Sequence, residues 1–133
     1  MLSWRRIVPL LIALALAVAP PAVAADKKKG GGLSYIQMAP LTATIIRGDG
    51  RRGVLTVETG VDVPGNAGLH NRADVSQPRL RAAYLLALQA YVSGLSPGTL
   101  PDADYISRSL QRETDRVLGQ PGAKLLLGTI LAN

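Results

Sequence analysis

The residue types that most often carry catalysis are sparse in this chain, which has one histidine and no cysteine among 133 residues. The lack of cysteine excludes disulfides, thiolate metal sites and cysteine nucleophiles. His70 lies in a polar segment without a second histidine that would complete a metal site. A serine hydrolase would need His70 as its base. The segment Gly94-Leu95-Ser96-Pro97-Gly98 matches Gly-x-Ser-x-Gly, but it follows an expected helix and not the strand that a nucleophile elbow requires. We therefore expect His70 to be a solvated loop residue.

Carboxylate pairs are the other candidates for acid–base chemistry, and each pair has a structural explanation. Asp102 and Asp104 stand at the start of an expected helix, where capping and the helix dipole favour them. Glu58 and Asp62 fall on the polar face of an expected strand. The chain is thus predicted to be non-enzymatic, with no catalytic residue, no cofactor and no metal site.

The stretch at residues 47–53, Arg-Gly-Asp-Gly-Arg-Arg-Gly, has a composition that suits anion binding. A phosphate loop would need a Gly-x-x-x-x-Gly-Lys-Ser/Thr pattern or a following helix, whereas a strand pattern follows here. Asp49-Gly50 between two alternating apolar segments instead predicts a hairpin with a type I′ turn. Its tip would present three positive charges as a candidate partner contact. These residues are Arg47, Arg51 and Arg52.

A second set of arginines recurs at i, i+4 and i+8 and so lines one stripe of an expected helix. Two interpretations remain open at this point. The stripe is a solvated face whose charges are offset by nearby carboxylates, or it docks an acidic partner or lipid headgroups. The residues of the stripe are Arg108, Arg112 and Arg116.

Hydrophobic periodicity assigns the elements that position these residues. Alternation with β-branched residues predicts two strands, over 35–48 and 53–65. A polar loop is expected at 66–77. Apolar residues at helical spacing predict helices from Pro78 to Gly94 and from Asp102 to Gly119. A continuous apolar segment over 123–133 predicts a well-covered strand.

The resulting order, β-β-α-α-β, predicts an α+β two-layer domain over residues 35–133, with two helices on one face of a small sheet. The helical hairpin would return the chain so that its last strand runs antiparallel to the second. The first helix is apolar on more than one side, which indicates either core burial or a self-association face and hence a homo-oligomer. The candidate residues of that face are Leu85, Leu86 and Val92.

The first 24 residues have the three parts of an export signal. Arg5 and Arg6 form the positive region, an apolar stretch follows, and Ala22-Val23-Ala24 is a small-residue cleavage site. The alternative is an uncleaved inner-membrane anchor over residues 7–25. Both interpretations place the rest of the chain outside the cytoplasm, in a periplasm.

Residues 25–34 are expected to be a flexible tether, because three lysines and three glycines offer nothing to bury. Lys27, Lys28 and Lys29 would either be solvated or contact an anionic membrane surface. The chain carries a formal charge of +6, but two of its fifteen basic residues lie in the leader. The remainder is mildly basic, and no nucleic-acid partner is expected.

The chain resembles the FliL family of flagellar basal-body-associated proteins from Ala39 to Asn133. The likeness lies in the helix start Pro78-Arg79-Leu80-Arg81, the second helix "ADYISRSLQRETDRVLG" and the apolar terminal strand. The resemblance implies a periplasmic domain similar to the SPFH/stomatin fold, which forms rings around stator units and supports the motor without catalysis. Its partners would be flagellar motor and stator proteins. The alternative is an envelope scaffold or small-ligand-binding module unrelated to motility, with other envelope proteins as partners.

Overall fold

A four-stranded antiparallel sheet and three helices form residues 32–133, the part of the chain that the computed structural model describes. The strands are β1 (Tyr35–Gln37), β2 (Leu41–Ile46), β3 (Arg52–Asp62) and β4 (Lys124–Ala132). The helices are α1 (Ala67–Val75), α2 (Gln77–Ser93) and α3 (Ala103–Leu118). The predicted export signal and the lysines of the tether lie outside the described residues. The α+β class is confirmed, whereas the expected count of three strands and two helices is wrong.

Strand β3 is the centre of the sheet and pairs on both sides. On one side, β3 pairs with β2 over residues 52–57 and with β1 over residues 60–62. On the other side, β3 pairs with β4 over residues 55–57 and 59–62. The strands β1 and β2 therefore form one interrupted edge, and β4 forms the other. The expected antiparallel relation between the last strand and the hairpin strand is confirmed, with Val61 opposite Leu125.

The sheet buries one face against the helices, as alternation predicted. Leu41 and Ala43 of β2 are buried, as are Leu55, Val57 and Val61 of β3. The buried side chains of α2 and α3 complete this core. They are Leu80, Tyr84, Leu88, Ile106, Leu110 and Leu118. The opposite face carries no helix among the described residues, so it exposes Ile46, Val54 and Leu131.

The segment expected to be a polar loop instead contains helix α1. Asn66 caps it, since the Asn66 side chain accepts a hydrogen bond from the Leu69 N–H at 3.0 Å. Only Leu69 and Ala73 of the helix are buried, one turn apart. Arg72 attaches α1 to the end of α3 by donating to the Leu118 carbonyl at 3.2 Å. Tertiary contacts therefore stabilise a helix whose own apolar pattern is weak.

The ends of the two longer helices are as predicted. Pro78 lies in the first turn of α2, and Gly94 follows its last residue. The Asp102 carboxylate caps α3 by accepting from the Tyr105 N–H at 3.0 Å. Gly119 ends α3 in a left-handed conformation, with φ of 75°, which glycine adopts at little cost. Within residues 32–133 no helix is both long and apolar enough to cross a membrane.

Strand β4 is not the well-covered strand that its composition suggested. Leu125 is its single buried residue, and Leu131 is 51% exposed. Because β4 is an edge strand, one side of its backbone pairs with β3, and only one of its faces packs on the core that the described residues form. A bulge at Gly128 and Thr129, opposite Glu58, divides it into two paired segments.

Candidate functional site

A cleft of about 410 Å³ lies between α3 and the start of β4. The amphipathic pattern of α3 positions it, because Ile106 and Leu110 are buried in the core while Arg108 and Arg112 turn outward. The lining residues are Ser107, Arg108, Gln111, Arg112, Lys124 and Leu125. Two of these six, Arg108 and Arg112, are outward-facing arginines of α3, so one side of the cleft is basic. The side chain of Lys124 faces the open side of the sheet, like that of Asp62, with which it pairs. Lys124 was not among the residues that the sequence singled out.

The positive charges at this cleft are not neutralised by the described part of the chain. Within it, no carboxylate lies within 4.0 Å of a basic nitrogen of Arg108, Arg112 or Lys124. The nearby acids have other partners: Asp115 accepts from the Gln111 amide at 3.0 Å, and Asp62 from the Ser34 hydroxyl at 2.6 Å. Arg108 and Arg112 are therefore available for an anionic ligand at the cleft.

Arg116 does not share this site, although it belongs to the same predicted stripe. Its guanidinium Nε donates to Glu113 at 2.8 Å, in an ion pair within α3. The stripe thus divides into a paired member and two unpaired members, Arg108 and Arg112.

Gln111 joins α3 to the edge of β4 and was not recognised as important from the sequence. Its amide nitrogen donates to the Ala123 carbonyl at 2.9 Å, and its amide oxygen accepts from the Leu125 N–H at 2.8 Å. One side-chain amide therefore satisfies the two backbone groups that a neighbouring strand would otherwise pair. Gln111 and Asp115 are both half-buried, although neither belongs to the apolar face of α3.

Beyond Gln111, the outer side of β4 has unpaired backbone groups. The reciprocal bonds between Val54 and Asn133, each at 3.0 Å, show that Asn133 faces β3. Because backbone groups alternate along an antiparallel strand, those of Ile130 and Ala132 point away from the sheet. On the other side of the bulge, the same alternation directs the backbone N–H and C=O of Leu127 away from the sheet. Among residues 32–133 none of these three N–H groups has a hydrogen-bond acceptor.

The hairpin tip forms as predicted, but its turn is not type I′. Gly50 donates to the Arg47 carbonyl at 2.9 Å, and Arg47 donates to the Arg51 carbonyl at 2.8 Å. Gly50 has a φ of 78°, whereas Asp49 has a negative φ. This pattern matches a type I turn followed by a glycine bulge. The Asp49 carboxylate stabilises the turn by accepting from the Arg51 N–H at 3.0 Å.

The three arginines of the tip do not form one cationic surface. Arg47 lies 3.9 Å from the Asp49 carboxylate, and its alkyl chain covers Gly53 on the helix side of the sheet. Arg52 alternates with the buried positions of β3, so its side chain faces the side of the sheet that carries no helix among the described residues. The tip and the basic cleft lie at opposite ends of β3, since Lys124 pairs with Asp62.

The predicted self-association face of α2 is largely occupied by the core. Leu85 and Val92 are half-buried and pack against the buried cluster. Leu86 is 69% exposed. Core burial therefore describes Leu85 and Val92, whereas Leu86 is exposed among the described residues.

His70 lies in helix α1 and not in the solvated loop that was expected. Its Nε2 atom is buried without a hydrogen-bond partner among the described residues. Within residues 32–133 no group of three or more potential ligands could hold a metal ion.

The tyrosine with the most perturbed acidity, Tyr84, lies in the core. Burial is the largest cause, and it raises the pKa of Tyr84 to about 12. Its hydroxyl is 2.5 Å from the Thr114 hydroxyl, which donates onward to the Leu110 carbonyl at 2.8 Å. Tyr84 therefore donates to Thr114 and joins α2 to α3.

No family model and no curated protein matches the chain.

Proposed function

We propose that this protein is a non-enzymatic periplasmic accessory protein that binds an acidic segment of a partner protein at the cleft between α3 and β4. The single observation that carries the proposal is that Arg108 and Arg112 line this cleft beside the edge of β4 and have no carboxylate within 4.0 Å among residues 32–133. Arg116, the third arginine of the same helix stripe, is instead paired with Glu113. Arginine also suits carboxylate recognition, because its planar guanidinium can donate two parallel hydrogen bonds.

The flagellar basal body is the setting that we propose for this binding. Support comes from the sequence resemblance to the FliL family and from the predicted export signal. It also comes from the order of a strand hairpin, antiparallel helices and a closing apolar strand. A role as a general envelope scaffold uses the same cleft with a different acidic partner. A clean deletion separates the two settings. Reduced swimming with intact envelope integrity favours the flagellar one, and normal swimming removes it.

Charge reversal tests the cleft itself. The deletion strain is complemented with the full chain carrying Arg108→Glu and Arg112→Glu, and the deletion phenotype is scored. The matched control reverses the same number of charges at the hairpin tip, with Arg51→Glu and Arg52→Glu. We expect the cleft variant to lose function and the tip variant to retain it. Loss of function only in the tip variant would assign the contact to the hairpin instead.

A further inference from the structure

We propose that the acidic partner binds as an added strand on the free edge of β4, antiparallel to it, with its acidic residues in the basic cleft. This inference rests on the proposed function and specifies how the same site binds. The outward groups of Leu127, Ile130 and Ala132 provide backbone pairing for such a strand. Main-chain pairing of this kind supplies affinity, while adjoining pockets supply specificity.

The edge of β4 is unusually open for a natural strand. Exposed edges are commonly protected by lysines, prolines or inward-pointing charges. Residues 125–133 contain none of these protections. The bulge at Gly128 and Thr129 bends the edge without closing it, so an added strand pairs with Ile130 and Ala132 and meets Leu127 beyond the bulge.

The position of Gln111 determines where pairing stops. Because its amide occupies the Ala123 carbonyl and the Leu125 N–H, an added strand leaves the edge there. The chain leaving the edge at this point passes the cleft that Arg108 and Arg112 line. An antiparallel strand runs from Ala132 towards Lys124. The acidic residues of the ligand therefore follow its strand-forming segment in sequence.

Charge complementarity favours a different protein over a second copy of this chain. A two-fold pairing of β4 with itself would place one uncharged edge against another and leave both basic clefts without a carboxylate. The acidic residues of 32–133 are scattered singly or engaged in capping and ion pairs, so this region offers no acidic segment. The occupant is thus an extended segment with an alternating apolar part followed by Glu or Asp.

A pair of synthetic peptides tests the binding mode on the full chain. The first peptide has an alternating Val-Thr segment followed by a short Glu segment. The second is identical except for N-methyl groups on those amides that would pair with β4. Charge and composition are preserved while the strand hydrogen bonds are removed. We expect N-methylation to weaken binding about tenfold or more, measured by fluorescence anisotropy.

Substitutions in the protein separate this inference from the proposed function. Ala132→Pro removes an outward N–H and leaves the β3 pairing intact, so it should weaken only the unmethylated peptide. Arg108→Gln with Arg112→Gln should weaken both peptides. Equal affinity for the two peptides, with the arginine dependence retained, overturns strand addition and leaves the acidic site standing. Binding insensitive to the arginines overturns both proposals. A concentration-dependent dimer that Ala132→Pro abolishes would assign the edge to self-association and overturn the inference.

Discussion

The two edges of the sheet are protected to different extents, although a helix lies beside each. The β1/β2 edge is closed at two points. Arg81 of α2 donates to the carbonyls of Ala39 and Pro40, at 3.0 and 2.8 Å, where the edge is interrupted. The Gly98 N–H then donates to the Ile46 carbonyl at 3.1 Å, at the end of β2. Among residues 32–133, the β4 edge is closed only at its start, by Gln111 of α3.

This difference shows that a sheet edge can be closed selectively by single side chains from neighbouring helices. Arg81 and Gln111 act on backbone groups that would otherwise be available for pairing, and both side chains are half-buried beside the sheet. Among residues 32–133, the outward backbone N–H groups of β4 without an acceptor belong to Leu127, Ile130 and Ala132. Four substitutions break or sharpen the contrast, beginning with the largest expected change.

Replacing Gln111 with Met should destabilise the domain by about 2–3 kcal/mol, because the half-buried Ala123 carbonyl and Leu125 N–H lose their partner. Methionine keeps the side-chain volume and removes both hydrogen bonds. Urea unfolding measures the change, and Gln89→Met on the exposed side of α2 is the matched control. Equal urea midpoints for the two variants would show that the Gln111 side chain does not stabilise the edge of β4.

Replacing Tyr84 with Phe should lower the free energy of unfolding by about 1–1.5 kcal/mol, because it removes the buried Tyr84–Thr114 hydrogen bond. This bond joins α2, beside the β1/β2 edge, to α3, beside the β4 edge. The same residue makes stability depend on alkaline pH. Its pKa is raised from 10.0 to about 12, so the unfolded chain ionises first and stability falls as pH rises between these values. Thermal unfolding across that range should show a smaller decline for Tyr84→Phe. An unchanged decline would exclude Tyr84 as its source.

Replacing Arg81 with Met should cost about 0.5–1 kcal/mol, because its two bonds to the β1/β2 interruption are partly exposed to water. Hydrogen exchange should also show faster exchange in β1 and β2 and leave β4 unchanged. The control is Arg79→Met, two residues earlier on an exposed position. Faster exchange spread across both edges would contradict a local role.

Replacing Leu131 with Lys should change stability by no more than about 0.5 kcal/mol, because the side chain is 51% exposed on the open face. A lysine on an edge strand opposes pairing with other chains. In a Gln111→Met background, it should therefore lower the extra aggregation that light scattering detects. Aggregation that persists unchanged would show that β4 is not the associating edge.

Alternation and helix-end residues were the reliable signals for the fold. They correctly assigned the buried faces of β2 and β3, the caps Asp102 and Gly119, and the antiparallel return of β4. Helix α1 was missed because two buried residues, Leu69 and Ala73, make too weak a pattern. Its cap, Asn66, was the signal that could have found it. The exposure of β4 was missed because apolar content does not distinguish an edge strand from a central one.

The candidate site was only half visible in the sequence. Arg108 and Arg112 could be grouped by helical spacing, but spacing alone also grouped Arg116, which the structure pairs with Glu113. The cleft that Arg108 and Arg112 line depends on how α3 crosses the start of β4, which no spacing in the sequence predicts. Gln111 carries no local pattern at all, since its role is to satisfy backbone groups twelve and fourteen residues away. Sites assembled by tertiary contacts leave no periodicity to detect.

The contact between the hairpin tip and the α2–α3 connection limits insertions in either of these two loops. The Gly98 N–H donates to the Ile46 carbonyl at 3.1 Å, and the backbones of Gly48 and Gly98 pack too closely to admit a side chain at Gly98, so each loop packs against the other. Surface loops usually accept insertions at little thermodynamic cost. Here an insertion in either loop must be matched in its neighbour. An epitope tag or a grafted domain therefore belongs at the exposed Pro64-Gly65 turn, at the far end of β3.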